Sequence, residues 1–118
     1  MSILVAASAS PEGEAALREA VAEAARRQTT LLWCNLGQRP IPESGALLAA
    51  VDARELPIEA DQDPADALID LAAAHEVELL VVGTRRRSPV GKLILGSVAQ
   101  RLILDSPVPV LTVKAPHP

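Results

Sequence analysis

A chain of 118 residues, 49% hydrophobic and 22% charged, suffices for one packed core and leaves no room for a second catalytic domain. Its formal charge of −4 and its single aromatic residue, Trp33, exclude the stacking platforms of sequence-tolerant nucleic-acid binders and the cationic surface that adheres to DNA or membranes. With one cysteine, Cys34, an intramolecular disulfide and a cysteine-based metal site are also excluded; no basic leader or membrane-length apolar run is present, so a cytoplasmic protein is expected, with no nucleic-acid or membrane partner.

Ile3 to Ala7 is a short apolar run suited to a buried strand, ended by Ser8-Ala9-Ser10-Pro11. Ser10 before Pro11 is a helix start, a capping hydroxyl followed by a residue whose fixed φ suits the first turn. Glu12 and Glu14 complement the positive end of that helix, and Leu17, Val21 and Ala24 form its apolar stripe. Thr30 to Leu36 is the second strand, with Trp33 and Cys34 inside it, and Gly37 to Pro40 turns the chain. The spacing then predicts a short helix capped by Ser44 and running through Leu47, Leu48 and Val51. An edge strand over Glu55 to Ala60 follows, weakened by Pro57.

Asp63-Pro64-Ala65-Asp66 repeats the start signal, with Leu68, Leu71, Ala72 and His75 as the inward face of the helix. Leu79 to Val82, four uninterrupted apolar residues, suit a strand covered on both faces. The loop after it is basic: Arg85, Arg86, Arg87, Lys92 and then Arg101 occur with no acid between Gly83 and Leu104. Ser97 and Gln100 read as a capping box opening a helix that stops at Asp105-Ser106-Pro107. Val108 to Lys114 is the last strand. Residues 1–114 form the domain and 115–118 a disordered tail.

The order βαβαβαβαβ, with strand starts roughly 25 to 30 residues apart, is that of right-handed parallel crossovers. The expected fold class is α/β, one three-layer sandwich around a five-stranded parallel sheet of order 3-2-1-4-5, Rossmann-like or flavodoxin-like. The switch point then lies between the first and fourth strands, and the Ser8 turn faces the arginine loop across the crevice where such sheets bind ligands. A helix N-terminus and a run of cations at that place predict an anionic ligand, a phosphate.

The opening Ile3-Leu4-Val5-Ala6, the Asp63-Pro64 helix start, Gly83 with Gly96-Ser97, and the closing Pro107-Val108-Pro109-Val110 resemble the universal stress protein family over essentially the whole chain. The family's signature G-x2-G-x9-G-[S/T] registers on Gly83, position 86, Gly96 and Ser97. Arg86 stands at the middle glycine, and Ser8-Ala9 stand where nucleotide-binding members often carry an acid followed by Gly. The resemblance implies an adenine-nucleotide site, ATP with magnesium held through the phosphates only. In it Gly83 allows backbone approach, Gly96, Ser97 and Val98 form the phosphate nest, Thr84, Arg85, Arg86 and Arg87 line the loop, and the adenine lies near Ala7, Ser8 and Asn35. It also implies a homodimer paired through the last strand, Val108 to Val113.

Sharper motifs fail on their spacing. Gly91-Lys92 is not a P-loop, because that pattern needs glycine at 86 and a hydroxyl at 93, where Arg86 and Leu93 stand. Ala7-Ser8-Ala9 lacks the acids of a phosphoacceptor receiver domain. No Ser/His/Asp set, carboxylate pair or metal-spaced cluster is present, so no catalytic or metal-ligating residue is expected. Arg85 to Arg87 are either phosphate ligands or a solvated loop, and Ser88 is either a turn residue or a phosphoacceptor. Two functions follow: a nucleotide-binding stress-response domain with at most slow hydrolysis or autophosphorylation, or a stress protein that works through its dimer and protein partners with Arg86 closing the site. A small phosphometabolite enzyme on the same fold lacks its acid and base.

Overall fold

In a computed structural model, residues 1–85 and 95–115 are described. The strands are β1 (Ser2–Ala7), β2 (Thr30–Asn35), β3 (Ala53–Glu55), β4 (Val77–Thr84) and β5 (Val110–Lys114), and the helices α1 (Pro11–Arg27), α2 (Ser44–Leu48), α3 (Pro64–Ala74) and α4 (Ser97–Asp105). All pairings are parallel and the strand order is β3-β2-β1-β4-β5, as the sequence predicts. The sheet alternates its side chains between two cores. Ile3, Val5 and Ala7 face α1 with Leu79 and Val81, while Leu4, Ala6, Leu80 and Val82 face α3 and α4. This gives the three layers. Fully enclosed Leu17 on one side and Leu68 and Leu102 on the other each stabilise the fold by about 1.5–3 kcal/mol through burial alone.

Two helix starts form as their sequence dictates. Ser10 Oγ accepts from Gly13 N at 3.1 Å with Pro11 in the first turn, and Asp63 Oδ2 accepts from Asp66 N at 3.0 Å before Pro64. Such caps satisfy donors that a helix leaves orphaned.

Several expectations shift. Gly96, not Ser97, is the N-cap of α4; Ser97 is its first residue, and Gln100 Nε2 donates to Leu95 O at 3.1 Å instead of closing a capping box. Glycine is itself a competent cap, so the helix begins one residue earlier than the box requires. Ser44 likewise opens α2 without capping it, since Glu43 occupies that place at φ 60°. The third strand is Ala53–Glu55; Leu56 N still donates to Trp33 O, but Leu56 and Ile58 pack onto the second core beyond the ladder. His75 is not on the inward face of a helix: it is the C-cap of α3 in extended conformation, because the chain must straighten to enter β4 at Val77. The last strand begins at Val110, since Pro107 and Pro109 delay regular pairing, although Pro109 O already accepts from Leu80 N at 3.0 Å. Ala115 is buried and the rest of the expected tail lies outside the described residues.

Candidate functional site

The sheet reverses its winding at β1, whose neighbours are β2 on one side and β4 on the other. Beyond the carboxyl ends of β1 and β4 a crevice of about 170 Å³ opens, as expected at a switch point. Its floor is Ala6 and Val82, direct partners in the β1–β4 register. One wall is the Ser8 turn and the first turn of α1, through Ser8, Ser10, Glu12 and Gly13. The other is the start of α4, from Gly96 to Ala99, with Arg85 and Leu36 completing the rim.

Two helix N-termini therefore converge on one small space. The α4 start has no side-chain cap on its first-turn amides, whereas the α1 start is capped by Ser10, and each helix brings the positive end of a macrodipole equivalent to roughly half a charge. Among the described residues, one cation, Arg85, and one carboxylate residue, Glu12, join them. They form no ion pair within 4.0 Å of each other.

Tight contacts fix both walls. A Cβ at Gly83 would stand 2.0 Å from Glu12 O and 3.0 Å from Glu12 Cβ, so β4 and the first turn of α1 touch through backbone. A Cβ at Gly13 would stand 2.0 Å from Ser8 Oγ and 2.5 Å from Ser8 N, so the turn after β1 lies directly on α1. There the Ser8 and Ser10 hydroxyls share a 2.7 Å hydrogen bond. Gly96 is looser: a Cβ would meet Arg85 Nε at 3.6 Å, an ordinary contact.

Of the residues singled out in the sequence, Ser8, Gly83, Arg85, Gly96, Ser97 and Val98 are brought together on this crevice. Ala7, Thr84 and Asn35 stand off its wall. Ala7 is fully buried in the core, and its carbonyl accepts from Leu36 N. Thr84 is 1% exposed, and its hydroxyl donates to Val113 O at 3.3 Å. Asn35 is spent on the following turn, donating to Arg39 O and accepting from Gly37 N, both at 3.0 Å. It lines a neighbouring depression of about 400 Å³ that shares Leu36 with the crevice. Arg86 and Arg87 lie outside the described residues.

Arg101 does not join the crevice cations. Its guanidinium donates to Asp66 Oδ1 at 2.6 Å and Asp105 Oδ2 at 3.1 Å, with Asp63 Oδ2 at 3.9 Å, which ties α4 to the start of α3. These bonds, that to Asp66 first, raise its pKa further.

Ser10, Glu12, Gly13 and Leu36 were absent from the sequence-derived site. The signal for the first three was present: with Ser8 at the crevice and Ser10 capping a helix, the first turn of that helix has to form the adjoining wall. Leu36 arrives through β2 and the cross-strand bond to Ala7, which no local pattern announces.

A doubly wound parallel sheet with two helix N-termini meeting at its switch point defines a small α/β protein whose crevice suits an anion. A family model described as the universal stress protein family matches residues 43–114. A universal stress protein of Mycolicibacterium smegmatis is 42% identical over 128 aligned residues, spanning 98% of this chain and 98% of that relative. The solved universal stress protein from Archaeoglobus fulgidus superposes with a TM-score of 0.74 at 27% identity, over 96% of this chain and 97% of that one. A universal stress protein solved in complex with cAMP gives a TM-score of 0.76 at 27% identity, over 98% of each. The chain belongs to the universal stress protein family.

Proposed function

We propose that this protein is a stress-response regulatory domain that binds an adenine nucleotide in the crevice between β1 and β4. The observation that carries the reading is the convergence of the α1 and α4 N-termini with Arg85 on one space, because amide groups, dipoles and a guanidinium all favour a phosphate. The phosphate then lies on the amides of Gly96, Ser97 and Val98, with Arg85, and Arg86 and Arg87 of the same loop, supplying charge. The solved relative that holds cAMP supports the adenine part of the proposal.

A volume of about 170 Å³ is below the roughly 300–1,000 Å³ of whole small-molecule sites. It suits the phosphate and ribose. The base extends past Ser8 and Leu36 toward the depression at Asn35, where β2 ends. ATP fits this scheme with its outer phosphates toward the arginine loop, and magnesium carried by the phosphates. No side chain is assigned a part in turnover.

The domain is proposed to act in the cytoplasm as a homodimer. β5 is the edge of the sheet beside β4, and its unpaired backbone groups offer a ladder to a second copy.

The test is calorimetric titration of the wild type, Arg85→Gln and Arg86→Gly with cyclic AMP, AMP and ATP. Saturable wild-type binding weakened by Arg85→Gln supports the proposal. A silent wild type with binding gained in Arg86→Gly would transfer the function to the dimer surface, with Arg86 as a plug.

A further inference from the structure

Ser8, Ser10 and Gly13 line the α1 wall of the crevice and are joined by one chain of hydrogen bonds. Gly13 N donates to Ser10 Oγ at 3.1 Å, and Ser10 Oγ lies 2.7 Å from Ser8 Oγ, close enough for either hydroxyl to donate. Gly13 also makes room for that chain, since a Cβ on it would stand 2.0 Å from Ser8 Oγ. Two hydroxyls hold two protons, and their mutual bond uses one. Among the described residues neither oxygen has a further partner, so one O–H donor is left over on a wall that faces the α4 start and Arg85 across about 170 Å³.

From these observations, and resting on the nucleotide reading above, we infer that Ser8 Oγ donates a hydrogen bond to a phosphate oxygen of the ligand, with Ser10 as the positioning residue that directs it. The order of donation follows from polarisation. An oxygen that accepts a hydrogen bond becomes a stronger donor, so a chain running from Gly13 N–H to Ser10 and on to Ser8 reinforces itself, whereas two donors aimed at Ser10 Oγ oppose each other. The free proton then sits on Ser8. Because the chain begins at the positive end of the α1 dipole, the cap does not end that helix's pull on an anion; it carries a donor from the helix start to the crevice. A phosphate on the α4 amides is thereby held from both walls.

Calorimetric titrations of the wild type, Ser8→Ala and Ser10→Ala with cyclic AMP and its two phosphorothioate diastereomers test the inference. Ser8→Ala is expected to weaken cyclic AMP about tenfold, the worth of one hydrogen bond to a charged group. Sulfur is a weak acceptor, so the diastereomer with sulfur at the oxygen that Ser8 meets should lose less than about twofold. Ser10→Ala should weaken cyclic AMP by a smaller factor and spare the same diastereomer, a selectivity that a loosened helix start would not produce. Equal weakening of all three ligands in either variant, or no weakening in Ser8→Ala, overturns the inference while the nucleotide reading stands. A wild type that fails to bind cyclic AMP overturns it too, and one that binds neither cyclic AMP, AMP nor ATP takes the nucleotide reading with it.

Discussion

Gly83 of β4 and Glu12 of α1 meet backbone to backbone, at a separation that would put a Cβ on residue 83 only 2.0 Å from the Glu12 carbonyl oxygen. Gly83 is thus required by the packing of strand against helix, whatever the crevice holds. Gly83→Ala is expected to destabilise the domain by about 3 kcal/mol, the upper range of overpacking. A lowered urea midpoint at unchanged m-value checks it.

Gly13 offers a sharper contest between two effects. Alanine in place of a helical glycine ordinarily gains about 1 kcal/mol. Here the added carbon would stand 2.0 Å from Ser8 Oγ and 2.5 Å from Ser8 N, and backbone cannot step aside as a flexible side chain can. Gly13→Ala is therefore predicted to destabilise. A rise in melting temperature would show that the turn at Ser8 yields easily.

The two serines at helix starts are predicted to behave differently. Ser10→Ala removes the bond to Gly13 N and should cost about 1 kcal/mol in denaturant unfolding. Ser97→Ala should leave stability nearly unchanged, because Gly96 is the cap, and should weaken nucleotide binding. Equal losses of stability in both would contradict the assignment of Gly96.

Burial pushes the Cys34 thiol up to about 12, with Glu55 adding to the shift. The sign follows from linkage: below the unfolded pKa both states hold the proton, whereas above it the unfolded thiol ionises first. Stability is thus fully present at neutral pH and falls as pH rises from about 8.5 toward 12. Urea midpoints of wild type and Cys34→Ala between pH 7 and pH 10 check this, and the wild type should lose more.

What the sequence disclosed follows a physical division. The starts at Ser10-Pro11 and Asp63-Pro64 were legible because a cap is a bond between neighbours in the chain, and the parallel sheet was legible in the spacing of crossovers, which leaves the strand order to the fold as a whole. The α4 start slipped by one residue because Gly96 and Ser97 are both good caps and only the three-dimensional path chooses between them. Leu56 and Ile58 looked like strand because they are apolar residues in alternation, yet they are half-buried and pack on the core without joining the ladder. Glu12 read only as a helix-dipole residue, since its place on the crevice depends on Gly83, far away in sequence.

The most direct test of the account is a titration of isotope-labelled protein with cyclic AMP followed by amide NMR shifts. The account predicts saturable shifts concentrated at Ser8, Ser10, Glu12, Gly13 and Gly96 to Ala99, with the amides of Gln28, Thr29 and Asp52 at the opposite end of the sheet unmoved. Saturable shifts that cluster at that opposite end, or none up to millimolar ligand, would contradict it.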